Sequence, residues 1–178
     1  MAARNVGAPL PVVTAPVTIT AYDPAWPEWF AREEKRIRGA LGARALAVEH
    51  VGSTSVPGLA AKNRIDIDLI VADPADEQAY VPPLEAAGYV LRTREPHWYE
   101  HRCLWTPDHG VNLHVFGPDC DEYVRHLIFR DWLRTHPDDR NRYAADKYRI
   151  VAQEPTISEY VAEKSAFILD VLRRAGLR

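Results

Sequence analysis

A chain of 178 residues, 47% hydrophobic and 26% charged, carries enough apolar material for one sizeable core without covalent staples. Its formal net charge of −3 argues against a general nucleic-acid binder, which carries a basic excess, so no specific nucleic-acid partner is expected. Two cysteines, Cys103 and Cys120, make neither a disulfide framework nor a metal-binding spacing and read as reduced interior fillers.

Residues 1–15 read as a flexible arm preceding a single domain over 16–178. Pro9, Pro11 and Pro16 interrupt any apolar leader, and no run approaches the roughly 20 apolar residues that span a bilayer. A cytoplasmic chain without membrane partners is the expectation. Val17–Ala21 alternates like a short strand, and Asp23-Pro24 opens a helix that Gly42 stops. Strands are predicted at Ala45–Val51 and Ile65–Val71, then a helix at Ala79–Ala87 with Pro82-Pro83 in its first turn. Three further strands follow at Tyr89–Thr93, Trp98–Trp105 and Val111–Phe116. From Asp121 the period turns helical, over 121–135, 138–153 and 157–173, with Thr156 and Glu159 forming a capping box for the last. Strands first and helices after make an α+β fold: a mixed β-sheet with flanking helices and a helical C-terminal half.

Two segments carry chemistry. Strand alternation puts Asp66 and Asp68 on one face of Ile65–Val71, with Ile65, Ile67 and Leu69 on the other. Adjacent carboxylates repel, and an oxygen-seeking cation such as Mg²⁺ would neutralise both. Twelve residues earlier, Gly52-Ser53 follows a strand; glycine permits close backbone approach, and serine offers a hydroxyl and an N–H to a phosphate. Ser55 in the same turn and Lys62 after it extend that phosphate-binding set. In the C-terminal half, Tyr143-x3-Lys147 recurs as Tyr160-x3-Lys164, each lysine lying inside the apolar stripe, where it must snorkel out or meet an anion. Arg130 or Arg134 could join them. Arg102 on one strand and Asn112 with His114 on another could complete the site, His114 as a ligand or a base.

The run from Glu49 to Lys62, followed by Ile65-Asp66-Ile67, resembles the GrpB family. The similarity extends to Leu113-His114-Val115, to Phe129–Arg134 and to the two Tyr/Lys pairs. It implies a nucleotidyltransferase-like fold in which a Gly-Ser turn faces an Asp-x-Asp strand. It further implies that Ser53 holds a nucleotide phosphate and that Asp66 and Asp68 bind metal. Two positions depart from the pattern. Asn63-Arg64 replaces a proline and an aliphatic residue, and His114 occupies the strand where active transferases have a third carboxylate. The function expected is a metal-dependent nucleotidyltransferase-like enzyme acting on a small-molecule acceptor. The alternatives are a non-catalytic module binding a nucleotide or phosphorylated metabolite, or a cleft in which His50, His114 and the carboxylates perform acid–base chemistry on another substrate.

Overall fold

The computed structural model describes residues 4–5 and 17–177. Six strands, β1 (Arg4–Asn5), β2 (Ala47–Val51), β3 (Ile65–Ile70), β4 (Val90–Glu95), β5 (His101–Trp105) and β6 (Val111–Phe116), form one sheet. Their order is β1-β4-β5-β6-β3-β2. Every neighbouring pair is antiparallel except β3 and β6, which run parallel with Asp66 beside Asn112 and Asp68 beside His114. Most of the arm expected over 1–15 lies outside the described residues; Arg4–Asn5 pair with Thr93 and Arg94 at the sheet edge.

The period of two along the strands gives the sheet two unlike faces. Ile65, Ile67 and Leu69 of β3 join Val48, Leu104, Leu113 and Val115 on one face. Helices α1 (Trp26–Leu41) and α2 (Glu77–Ala86) cover it, contributing Trp26, Ile37, Leu41, Tyr80 and Leu84. The other face carries Glu49, Asp66, Asp68, Asn112 and His114, and is overlaid by α3 (Asp121–Thr135), α4 (Pro137–Val151) and α5 (Ile157–Arg174). A second apolar cluster of Val56, Leu59, Leu133, Tyr143, Phe167 and Val171 fastens those helices to the segment between β2 and β3.

Local departures from expectation have local causes. The stretch 17–21 supplies an isolated bridge, Thr20 to Ala61, instead of a strand. α2 begins at Glu77, two residues earlier than expected, so Pro82 and Pro83 stand in its interior. A proline at 83 cannot donate to the Ala79 carbonyl, and Arg44 Nη1 takes that acceptor at 2.7 Å. β5 starts at His101 instead of Trp98, because Tyr99 and Glu100 turn through left-handed conformations, φ 53° and 51°. The capping box at Thr156 is present, each partner bonding the other's backbone N–H. Among the described residues, no helix is long and apolar enough to cross a membrane.

Candidate functional site

The site lies on the polar face of the sheet, where the end of β2 turns toward the start of β3. Gly52 leaves β2 at φ 68°, a conformation that favours glycine. A Cβ placed there would stand 2.5 Å from Asp66 Oδ2, so the turn and the carboxylate are in direct contact. The Ser53–Ser55 turn is held from above and within. Arg134 donates twice to the Ser55 carbonyl, at 3.1 and 2.8 Å, and Ser55 Oγ donates to the Gly52 carbonyl at 2.6 Å. Arg130 ties α3 to β2 through Glu49 and the His50 carbonyl.

Asp66 accepts a 2.8 Å bond from Asn112 Nδ2, and Asn112 Oδ1 in turn faces Arg64 Nη1 at 3.4 Å. Asp68 is wholly buried. Its Oδ2 accepts from His126 Nδ1 of α3 at 2.8 Å, while its Oδ1 is buried with no hydrogen-bond partner. A carboxylate oxygen left so is costly unless something neutralises it. Burial alone would lower the His126 pKa, but the bond to Asp68 and the charges of Asp68, Glu122 and Asp66 outweigh it and raise it above the ordinary imidazole value.

A second chain of bonds reaches the same face. Glu95 Oε2 lies 2.7 Å from His101 Nδ1, and His101 Nε2 lies 3.0 Å from His114 Nδ1. Burial pulls both imidazoles down to about 4, against the raising charge of Asp68 in the case of His114, so both are neutral near pH 7. The order of donors follows. The Glu95 carboxylate accepts from His101 Nδ1–H, His101 Nε2 therefore accepts from His114 Nδ1–H, and His114 Nε2 keeps a lone pair.

A group of lysines adjoins Ser53 through Lys147. Lys147 is 1% exposed; its Nζ donates to Ser53 Oγ at 3.1 Å and also to the Ala60 carbonyl. Burial first, and then Lys164, pull its pKa down to about 7. Lys62 and Lys164 stand 4.3 and 4.8 Å from the centre of the Tyr160 ring, and Lys147 stands 4.7 Å from that of Tyr143. Burial, Lys164 and Arg64 together lower Lys62 to about 8, opposed by Asp66. The Tyr/Lys repeats of α4 and α5 thus converge on one spot and not on two separate surfaces.

Gly52, Ser53, Ser55, Lys62, Asp66, Asp68, His114, Arg130, Lys147 and Lys164 therefore all lie on or beside the polar face. Arg102 does not. In β5 it pairs with Val115, one position out of phase with the Cys103–His114 pair, so it projects to the opposite face and is bound by Glu77 Oε1 at 2.6 Å. His50 also turns away: it stacks on Phe30 of α1 at 4.7 Å and bonds Thr54 Oγ1 at 3.0 Å. His126 is the residue that sequence reasoning missed. Its signal was the i, i+4 spacing of His126 and Arg130 on the stripe of α3 that faces β2 and β3.

Asp66 and Asp68 share a face, and the orphaned Asp68 Oδ1 suits one oxygen-seeking ion. Among the described residues no group of three or more His, Cys, Asp or Glu side chains is gathered to hold a metal. A two-ion arrangement of the kind the resemblance implies would need a third carboxylate, and β6 sets Asn112 and His114 beside Asp66 and Asp68.

Comparison with known proteins identifies the family of the chain. A family model described as GrpB protein matches residues 16–174. A UPF0157 protein of Halalkalibacterium halodurans is 52% identical over 163 residues, covering 91% of this chain and 84% of its own. The crystal structure of the conserved protein GrpB from Enterococcus faecalis superposes with a TM-score of 0.79 at 32% identity, covering 89% of this chain and 96% of that one. A dephospho-CoA kinase of Mycolicibacterium paratuberculosis is 34% identical over 193 residues, which take in 92% of this chain and 47% of the kinase. The α+β, nucleotidyltransferase-like fold is the one that the resemblance implied. The chain belongs to the GrpB family.

Proposed function

We propose that this GrpB protein binds the phosphate groups of a nucleotide, or of another phosphorylated small molecule, where the Gly52-Ser53 turn meets Lys62, Lys147 and Lys164. One observation carries the reading. Lys147 bonds Ser53 Oγ, Lys164 is close enough to lower the pKa of both Lys147 and Lys62, and none of the three forms an ion pair among the described residues. Burial first, and the repulsion of Lys164 second, lower the pKa of both Lys62 and Lys147, so both ammonium groups are held at a cost. A phosphate dianion supplies the missing counter-charge and several acceptor oxygens at once.

A second reading, metal-dependent nucleotidyl transfer to a small acceptor, is favoured by the unpartnered Asp68 Oδ1. Asp66 and Asp68 would hold a Mg²⁺ ion, which would supply neutralisation of charge developing on a phosphoryl oxygen. The protein's own groups would do the rest. The lysines orient the phosphates, Gly52 lets the backbone approach, Asn112 fixes the rotation of Asp66, and the His114 Nε2 lone pair accepts a proton from the acceptor hydroxyl.

The dephospho-CoA kinases among the relatives make dephospho-CoA, with ATP and inorganic pyrophosphate, a rational first probe set. Thermal shift with each, with and without Mg²⁺, and a pyrophosphate-release assay separate the readings. Stabilisation by at least one probe is expected of the wild type. Under the second reading, Asp66→Asn and Asp68→Asn abolish the Mg²⁺-dependent part. No shift with any of the three would overturn phosphate binding, whereas a Mg²⁺-dependent shift unchanged in both variants would overturn the metal reading alone.

A further inference from the structure

We infer that Ser53 and Lys147 form a nucleophile–base pair, and that Ser53 Oγ takes up a phosphoryl group as a covalent ester from the phosphorylated molecule bound beside it. This rests on the phosphate-binding reading and assigns a chemical role to the serine that would otherwise only anchor the ligand.

A serine becomes nucleophilic when a base lies within hydrogen-bond reach and a third group orients that base. All three parts are present. Lys147 Nζ stands 3.1 Å from Ser53 Oγ, and the Ala60 carbonyl accepts from the same nitrogen and fixes its direction. Ser53 sits immediately after the tight turn at Gly52 and is partly exposed, so an electrophile can reach it. The neighbouring hydroxyls are spent. Ser55 Oγ is buried and bonded to the Gly52 carbonyl, and Thr54 Oγ1 is buried and bonded to His50 and the Arg64 carbonyl.

Lys147 also lacks the usual reason for a buried lysine. Tyr143 on its own helix, Lys164 from α5, the Ala60 carbonyl before β3, and Ser53 surround it, and none is a carboxylate bonded to Nζ. With its pKa near 7, the amine is populated without its extra proton at neutral pH, as a general base must be. The step balances. A bond forms between Ser53 Oγ and phosphorus, the bond from phosphorus to the leaving oxygen breaks, the serine proton passes to Lys147 Nζ, and the leaving group departs with the electron pair. Lys164, close enough to Lys147 to lower its pKa, and Lys62, on the same Tyr160 ring as Lys164, would add positive charge against the negative charge on the transferring group.

A fluorophosphonate tests this without knowledge of the natural ligand: the same oxygen attacks phosphorus, fluoride leaves, and the adduct is read by intact-mass and peptide mass spectrometry. The wild type is expected to gain one adduct on Ser53, at a rate that rises with pH through a midpoint near 7. Ser53→Ala should show none. Lys147→Met and Lys147→Arg should label on the order of 100-fold more slowly, arginine keeping the donors but being unable to give up its proton. Circular dichroism checks that the variants are folded, and the wild-type pH profile stands as a readout that needs no variant. No wild-type adduct, although calorimetry detects ATP binding, would overturn the covalent role and leave phosphate binding intact. Labelling as fast in a folded lysine variant, or a flat pH profile, would overturn it equally. Failure of both binding and labelling would overturn both.

Discussion

At Gly52 the backbone conformation and the site chemistry are the same fact. The residue sits at φ 68° and has Asp66 Oδ2 where a Cβ would stand, so an alanine would meet both a strained dihedral and a carboxylate. Gly52→Ala should cost about 1–3 kcal/mol of stability in urea unfolding. It should also weaken phosphate binding, because the Ser53 turn would have to back away from Asp66. Unchanged stability would mean that the turn does not hold this conformation. The Gly-Ser pair was legible in the sequence because glycine and serine both advertise the turn. The Asp68–His126 bond was not, because nothing in a helix's own pattern states which strand residue it will face.

Strand parity decided which expectations reached the site. Asp66 and Asp68 were readable as neighbours because a period of two is fixed by backbone geometry, and β3 and β6 being parallel puts Asn112 and His114 beside them. Arg102 was assigned by strand membership alone, and its alternation sends it to Glu77 on the other face. His50 follows the same rule on β2, where it lies buried against Phe30 of α1. Burial, opposed by Asp66 and assisted by Arg134 and Arg130, lowers its pKa to about 4, so the folded protein holds it neutral. Its folded value lies below its unfolded one. The associated stability is therefore fully present above about pH 6.5 and is lost as pH falls toward 4. By pH 5 the loss from this one group is about 2 kcal/mol. Urea unfolding at pH 7 and pH 5 should show the wild type losing that much more than His50→Asn. Equal losses would mean that His50 is already charged or solvated in the fold.

Across the whole molecule, the sequence was most readable where a pattern was self-contained and least where two distant segments meet. The helical half was predicted nearly to the residue because each helix carries its own period and caps, as at Thr156 and Glu159. The sheet order was not readable, since the return of β6 beside β3 depends on α2 and two hairpins folding between them. That return is what makes the site. It sets Asn112 and His114 against the carboxylates, while the C-terminal helices bring Lys147 to Ser53 and Lys164 near Lys147. Lys147 is 94 residues from Ser53 and Lys164 farther still, so the Tyr/Lys repeat marked the pair without placing it.

The central claim is that this convergence exists to meet a phosphate, and titration calorimetry with inorganic pyrophosphate and ATP measures it directly. Wild-type binding is expected with either probe, weakening by roughly 10- to 100-fold in Lys62→Met and again in Lys164→Met, since each removes a charge-assisted contact of about 1.5–3 kcal/mol. Affinity that stays the same when both lysines are replaced would contradict the account.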